Sequence, residues 1–105
     1  MAAEHAEAAN IGSGNELISS CKRFVDAVDA NNTIEAFQQG ICVGQAQAVL
    51  ATSCRNCPPE GVTAGQALRV LIAYVERHPN LMHKHIALLA DDALAEAWPC
   101  TKPNQ

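Results

Sequence analysis

A chain of 105 residues, 49% of them hydrophobic, is one domain by length and can build a single modest core. Its formal net charge of −4, with seven Lys and Arg scattered along it, argues against nucleic-acid binding, which needs clustered basic groups to neutralise phosphates. No stretch approaches the roughly 20 apolar residues of a membrane span, so neither nucleic acid nor membrane is expected as a partner. An acidic chain suits a basic protein partner, although mild acidity also simply keeps a small protein soluble.

Residues 1–14 carry no periodicity and end in Ile11-Gly12-Ser13-Gly14, which reads as a mobile lead-in. Met1 to Asn10 lacks the apolar centre of a signal peptide, so an export signal is expected to have been removed. The domain is expected over residues 15–100 and a mobile tail over 101–105. A first helix follows from Leu17, Cys21, Phe24 and Val28 at helical spacing, with Asn15 or Ser13 as its cap and Asn31-Asn32 as its end. Thr33 is expected to cap a second helix, whose apolar positions Ile34, Phe37, Ile41, Ala48 and Val49 run to about Ser53. Gly40, Gly44 and Ala48 line one side of it, a ridge suited to close intramolecular packing, with a homodimer seam as the alternative. Pro58-Pro59 keeps the next connection out of a helix. Thr63-Ala64-Gly65-Gln66 then has the form of a capping box. The third helix carries Leu68, Leu71, Ile72 and Val75 on its inner stripe and is stopped by Pro79. A last helix from about His83 to Ala97 buries Ile86, Leu89, Ala90, Ala93, Leu94 and Ala97, leaves Asp91, Asp92 and Glu96 wet, and ends at Pro99. No alternating strand pattern occurs. The reading is all-α: a small four-helix domain of two antiparallel hairpins.

Five cysteines in so short a chain point to an oxidising compartment. In an antiparallel hairpin, residues equally far from the connecting loop lie at one height. Cys21 and Cys42 are each about nine residues from the first loop, at roughly 1.5 Å per residue. Cys57 just precedes the third helix and Cys100 just follows the fourth. The expected disulfides are therefore Cys21–Cys42 and Cys57–Cys100, stapling both hairpins and leaving Cys54 either free or an alternative partner for Cys100.

Cys54-Arg55-Asn56-Cys57 also has the form of a C-x-x-C. A redox motif of that type needs a strand leading into a helix, and the upstream element here is helical. A zinc site would need Cys54, Cys57 and His83 or His85 to converge with a fourth ligand, at a spacing unlike a finger. A cysteine hydrolase has its residue types present, but the cysteines are taken by plausible disulfides and His78 suits the carboxyl end of the third helix. His5 and His85 read as solvated. No catalytic residue, cofactor or metal is expected.

Four segments carry a family resemblance: Gly40-Ile41-Cys42-Val43-Gly44, then Cys57-Pro58-Pro59-Glu60-Gly61-Val62-Thr63 with Gly65-Gln66, then His78-Pro79 with His83, and last Ala97-Trp98-Pro99-Cys100. In this order and spacing the chain resembles the Rap/Tai family, periplasmic immunity proteins that neutralise peptidoglycan amidase effectors of type VI secretion systems. The resemblance spans most of the chain after Asn15. It implies a periplasmic binding protein without catalysis, whose partner is a cysteine–histidine peptidoglycan amidase. An amidase cleft is concave, so a rigid projection is expected to fill it. The proline-stiffened loop with Arg55, Asn56, Pro58, Pro59, Glu60 and Gly61 is the first candidate, and the turn holding Asn80 and His83 the second. Readings from other classes are a thiol-redox or metal-binding protein built on Cys54 and Cys57, and a periplasmic interaction module without a toxin partner.

Overall fold

A computed structural model of the chain describes residues 12–100. Residues 1–11 of the expected lead-in and the whole expected tail lie outside the described residues. Four α-helices follow one another: α1 Gly14–Val25, α2 Thr33–Thr52, α3 Ala64–Arg77 and α4 Ile86–Ala97, with a 3₁₀ turn Pro79–Leu81 between the last two. Among the described residues there is no β-strand, and isolated bridges join Ser13 to His85 and Asn56 to Pro99. The all-α expectation holds.

Each α-helix begins where a side chain accepts one of its free N–H groups. Ser13 accepts from Glu16, Asn32 from Glu35, Thr63 from Gln66 and the His85 ring from Ala87. Asn32, not Thr33, thus caps α2. Of the capping box, the Thr63 half is present, with Oγ1 3.1 Å from the Gln66 nitrogen. Helix α4 starts at Ile86 rather than His83, because the 3₁₀ turn and the Lys84 N–H to Leu81 carbonyl bond occupy the intervening residues.

Helix α1 ends earlier than the Val28 spacing suggests. The Ala27 N–H donates to the Phe24 carbonyl and the Val28 N–H to the Arg23 carbonyl, while Ala27 itself takes a φ of 59°. This is the Schellman pattern, with alanine at the left-handed position where glycine is usual. Phe24 and Val28 consequently stay at the surface, 38% and 40% exposed, instead of joining the core.

The core is built from Leu17 and Cys21 of α1, Cys42 and Ala46 of α2, six residues of α3 including Leu68, Leu71 and Val75, and Ile86, Leu89, Ala90, Ala93 and Leu94 of α4. Helix α1 packs on α2 and α3, and α2 packs also on α3 and α4. Cys21 is bonded to Cys42 inside this core and Cys57 to Cys100 at its edge. Those are the two pairs expected from the sequence.

Two expectations are corrected. In α2 only Cys42 and Ala46 are buried, whereas Ile34 is 70% and Phe37 63% exposed. The disulfide and Ala46 fix which side of the helix turns inward, so the Gly40, Gly44 and Ala48 ridge turns outward. A Cβ added at Gly40 or Gly44 would meet nothing within 4 Å, which rules out the close intramolecular crossing expected there. Secondly, residues 12–14 are packed. The Gly14 N–H donates to the Lys84 carbonyl (3.0 Å), the Asn15 N–H to the Met82 carbonyl (2.8 Å) and the Ile86 N–H to the Gly12 carbonyl. A Cβ at Gly14 would sit 2.8 Å from Leu89 Cδ1 and 3.0 Å from the Met82 carbonyl oxygen. The short segment straps the start of α4, so the packed domain begins before Asn15.

These backbone features predict opposite signs for two exchanges. Ala27→Gly should stabilise the protein by about 1 kcal/mol in urea denaturation, the cost of a side chain in the left-handed region. Gly14→Ala should destabilise it, although alanine is the better helix former.

Candidate functional site

Helix α2 stops at Thr52, and the chain then turns through residues 53–62 before Thr63 caps α3. Pro58 and Pro59 lack the N–H that a helix would use, and Gly61 adopts a φ of 94°, which a side chain would oppose. The base of this loop is fastened several times. Ser53 Oγ donates to Asp91 Oδ1 (2.6 Å) and accepts from the Arg55 N–H (3.1 Å). The Arg55 guanidinium donates to Asp91 and, at 2.9 Å, to Asp92. Asn56 Nδ2 donates to the Val49 carbonyl (3.2 Å), and the Cys57 N–H to the Trp98 carbonyl (2.7 Å). Beyond the Cys57–Cys100 bond, Pro58 is half-buried while Pro59, Glu60 and Gly61 are exposed.

The sequence-derived contact residues therefore divide. Asn56 is only 5% exposed and its Oδ1 has no protein partner, so it anchors the loop and is not the solvent-facing residue expected. Arg55 is exposed but engaged with α4, and Asp91 and Asp92, expected to be free in water, are its partners. Single surface ion pairs of this kind contribute little each; here they act together with the Ser53 bond on one segment. The Ser53 hydroxyl, and after it Arg55, hold the Asp91 carboxyl below the usual carboxylate range.

Asn80 and His83 are exposed, but on the turn at the other end of α3. Fourteen helical residues, about 20 Å at the α-helical rise, lie between Thr63, which follows the loop tip, and His78, which precedes the turn. The loop and the turn are two surfaces. His78 ends α3, as expected, with its ring 4.5 Å from that of Tyr74.

The C-x-x-C does not form a dithiol pair, because Cys57 is bonded to Cys100 while Cys54 is free and exposed. That bond removes Cys57 as a thiolate ligand, and His83 and His85 lie past the far end of α3, so the zinc arrangement is not assembled. Among the described residues no cluster of three or more His, Cys, Asp or Glu could hold a metal. One feature is not on the list of expected contacts: the outer face of α2, where Ile34, Phe37 and Ile41 flank a cavity of about 250 Å³ with Glu16 and Gln38. Its signal in the sequence is the absence of any charged residue from Ala36 to Thr52.

The family model of the Rap1a immunity proteins matches residues 13–100, from the cap of α1 to the second cysteine of the α3–α4 staple. The chain belongs to this family. No curated protein and no solved structure matches it. An immunity protein acts on a toxin effector by binding, so its exposed, rigid surfaces are where function is to be sought. In this member the best-fastened exposed segment is the loop before α3.

Because Asp91 is depressed in the folded state, its contribution to stability is present above the unfolded carboxylate range and lost as pH falls through the folded value. Ser53→Ala removes the largest cause of that depression. NMR titration should show the Asp91 carboxyl moving back towards the ordinary range in this variant, with the acid-side loss of stability reduced.

Proposed function

We propose that this chain is a periplasmic immunity protein that binds a cognate type VI secretion peptidoglycan amidase, a cysteine–histidine hydrolase, and inhibits it by filling its active-site cleft with residues 58–61. The observation that carries this reading is a proline-stiff, exposed tip on a base held by a disulfide, a buried asparagine and an arginine bound to two aspartates. A segment ordered before binding loses less conformational freedom on association, so more of its contact energy appears as affinity. The two disulfides suit the periplasm, where thiols are oxidised. No cofactor, metal, nucleic acid or membrane enters the mechanism, which is steric.

The contact test spares Arg55 and Asn56, since both hold the loop in place and their replacement would confound folding with binding. Glu60→Arg combined with Pro59→Ala should weaken binding to the cognate amidase at least tenfold by calorimetry, about 1.4 kcal/mol. Asn80→Ala with His83→Ala should leave it unchanged. The opposite pattern would move the inhibitory surface to the turn, and no binding to any amidase would favour an interaction module without a toxin partner.

A second partner is read from α2: another copy of the chain. The protein is acidic overall, yet the outward residues Phe37, Gly40, Gly44 and Ala48 of α2 carry no charge, Glu16 of α1 stands at the edge of this face beside Phe37, and Glu35, the one charged residue of the helix, is turned towards Arg23. Two such faces can meet in an isologous pair without like charges opposed. Phe37→Glu should convert a dimer to a monomer in sedimentation equilibrium while leaving the helical content intact. A native chain that sediments as a monomer at high concentration overturns this pairing.

A further inference from the structure

Cys54 does not stand alone. Its thiol is exposed, both members of the Cys57–Cys100 bond are exposed, and Cys100 Sγ lies 3.7 Å from the Cys54 carbonyl oxygen. The Cys54 backbone is thus in contact with Cys100 Sγ, and Cys54 stands three residues from Cys57, so the free thiol belongs to a residue that adjoins the bond. Burial keeps many structural disulfides inert, whereas here the free cysteine and both bonded cysteines are exposed. The contrast inside the same molecule is Cys21–Cys42, which is fully buried and has no third cysteine beside it.

We propose that Cys54, Cys57 and Cys100 form a thiol–disulfide exchange site. Cys54 loses its proton to solvent, and its thiolate attacks Cys100 Sγ. The Cys54–Cys100 bond forms as the Cys57–Cys100 bond breaks, and Cys57 leaves as a thiolate that takes a proton from solvent. One disulfide and one thiol are present before and after, so no oxidant or reductant is consumed. The exchange moves the covalent anchor of the loop three residues upstream. Residues 55–57 are then no longer enclosed between the end of α2 and a bond at Cys57, and the exposed tip at Pro59 and Glu60 loses its nearest tether. The consequence for inhibition rests on the plug proposed above, whereas the exchange itself is read without any effector.

The wild-type protein, incubated at pH 8.5 without external thiol, then quenched with an alkylating reagent and mapped unreduced, should carry label on Cys57 as well as Cys54. The Cys57 fraction should rise with time to a plateau, together with a Cys54–Cys100 peptide. Cys54→Ser should abolish label at Cys57. Label confined to Cys54 at every time overturns the proposal. A Cys57→Ser variant refolded with a glutathione disulfide buffer gives an independent reading: a Cys54–Cys100 link beside an intact Cys21–Cys42 link is expected, and free thiols at both Cys54 and Cys100 would count against the site. If that variant does not refold, the wild-type time course decides alone. Absence of exchange is a failure of the chemistry, whereas exchange that leaves amidase binding unchanged is a failure of the plug.

Discussion

The Cys57–Cys100 bond is the constraint on which the exposed end of this molecule depends. Helices α3 and α4 are joined by the turn at Pro79, and the Cys57–Cys100 bond, with the Cys57 to Trp98 and Arg55 to Asp91 and Asp92 hydrogen bonds beside it, adds a closure to what side-chain packing supplies. That packing is modest. Alanine supplies four of the buried residues, Ala46, Ala67, Ala90 and Ala93, and an alanine buries little surface. A domain of this size gains only a narrow margin from burial, so two cross-links closing 21 and 43 residues matter, at about 3 to 4 kcal/mol each in the chain-entropy picture. One of them sits in the core, where it fixes which sides of α1 and α2 face inward. The other fixes the register of the loop, and the Cys57 to Trp98 hydrogen bond beside it shows that backbone and side chain are closed at the same point.

Much of this architecture was legible in the sequence because it follows from quantities that barely vary. The rise of an α-helix is constant, so equal distances from a loop placed Cys21 level with Cys42 and Cys57 near Cys100. In α3 and α4 Leu68, Leu71, Ile72, Val75, Ile86, Leu89 and Leu94 are buried as their spacing indicates, while Leu88 and the expected core residue Ala97 are exposed. Helix α2 was harder because its sequence is weakly apolar all round, so periodicity alone could not choose a face. Ile34 and Phe37 are the largest side chains in its first half, and spacing assigns them inward. Geometry overrules this, since the bonded Cys42 must face α1, and Ile34 and Phe37 lie well round the helix from it.

The site was less legible than the fold, for a different reason. Composition marks 54–61 as an irregular, proline-stiffened loop, yet it carries no information on which of its polar residues are turned inward. Asn56 has the same chemistry in either orientation; only the position of the Val49 carbonyl and the bridge to Pro99 show that its amide closes the loop from within. Arg55 is ambiguous in the same way. Its partners lie 36 and 37 residues away on α4, and long-range ion pairs leave no local signature. His85 reads as a solvated histidine, but the start of α4 places its ring nitrogen opposite the Ala87 N–H. Residues 12–14 look like flexible spacer because Gly-Ser-Gly is a spacer composition. Here a Cβ at Gly12 would run into the His85 ring and one at Gly14 into Leu89 and the Met82 backbone, so both positions sit closer to their neighbours than a side chain permits.

That strap bears on which end of α3 meets a partner. The turn after α3 is covered on one side by residues 12–15, where Gly12, Gly14 and Asn15 pair through their backbone with Ile86, Lys84 and Met82. Asn80 and His83 remain at its surface, but the turn's hydrogen-bonding groups are already engaged in holding the beginning of the domain to the beginning of α4. At the opposite end the arrangement is reversed. Every strong interaction of the loop lies at or before Cys57, and the residues after it, Pro59, Glu60 and Gly61, extend from that fixed point into solvent. One end spends its polar groups on internal closure; the other is anchored behind and open in front. An inhibitor that works by steric occlusion needs the second arrangement, because only a projection braced from behind resists displacement when it meets the walls of a cleft.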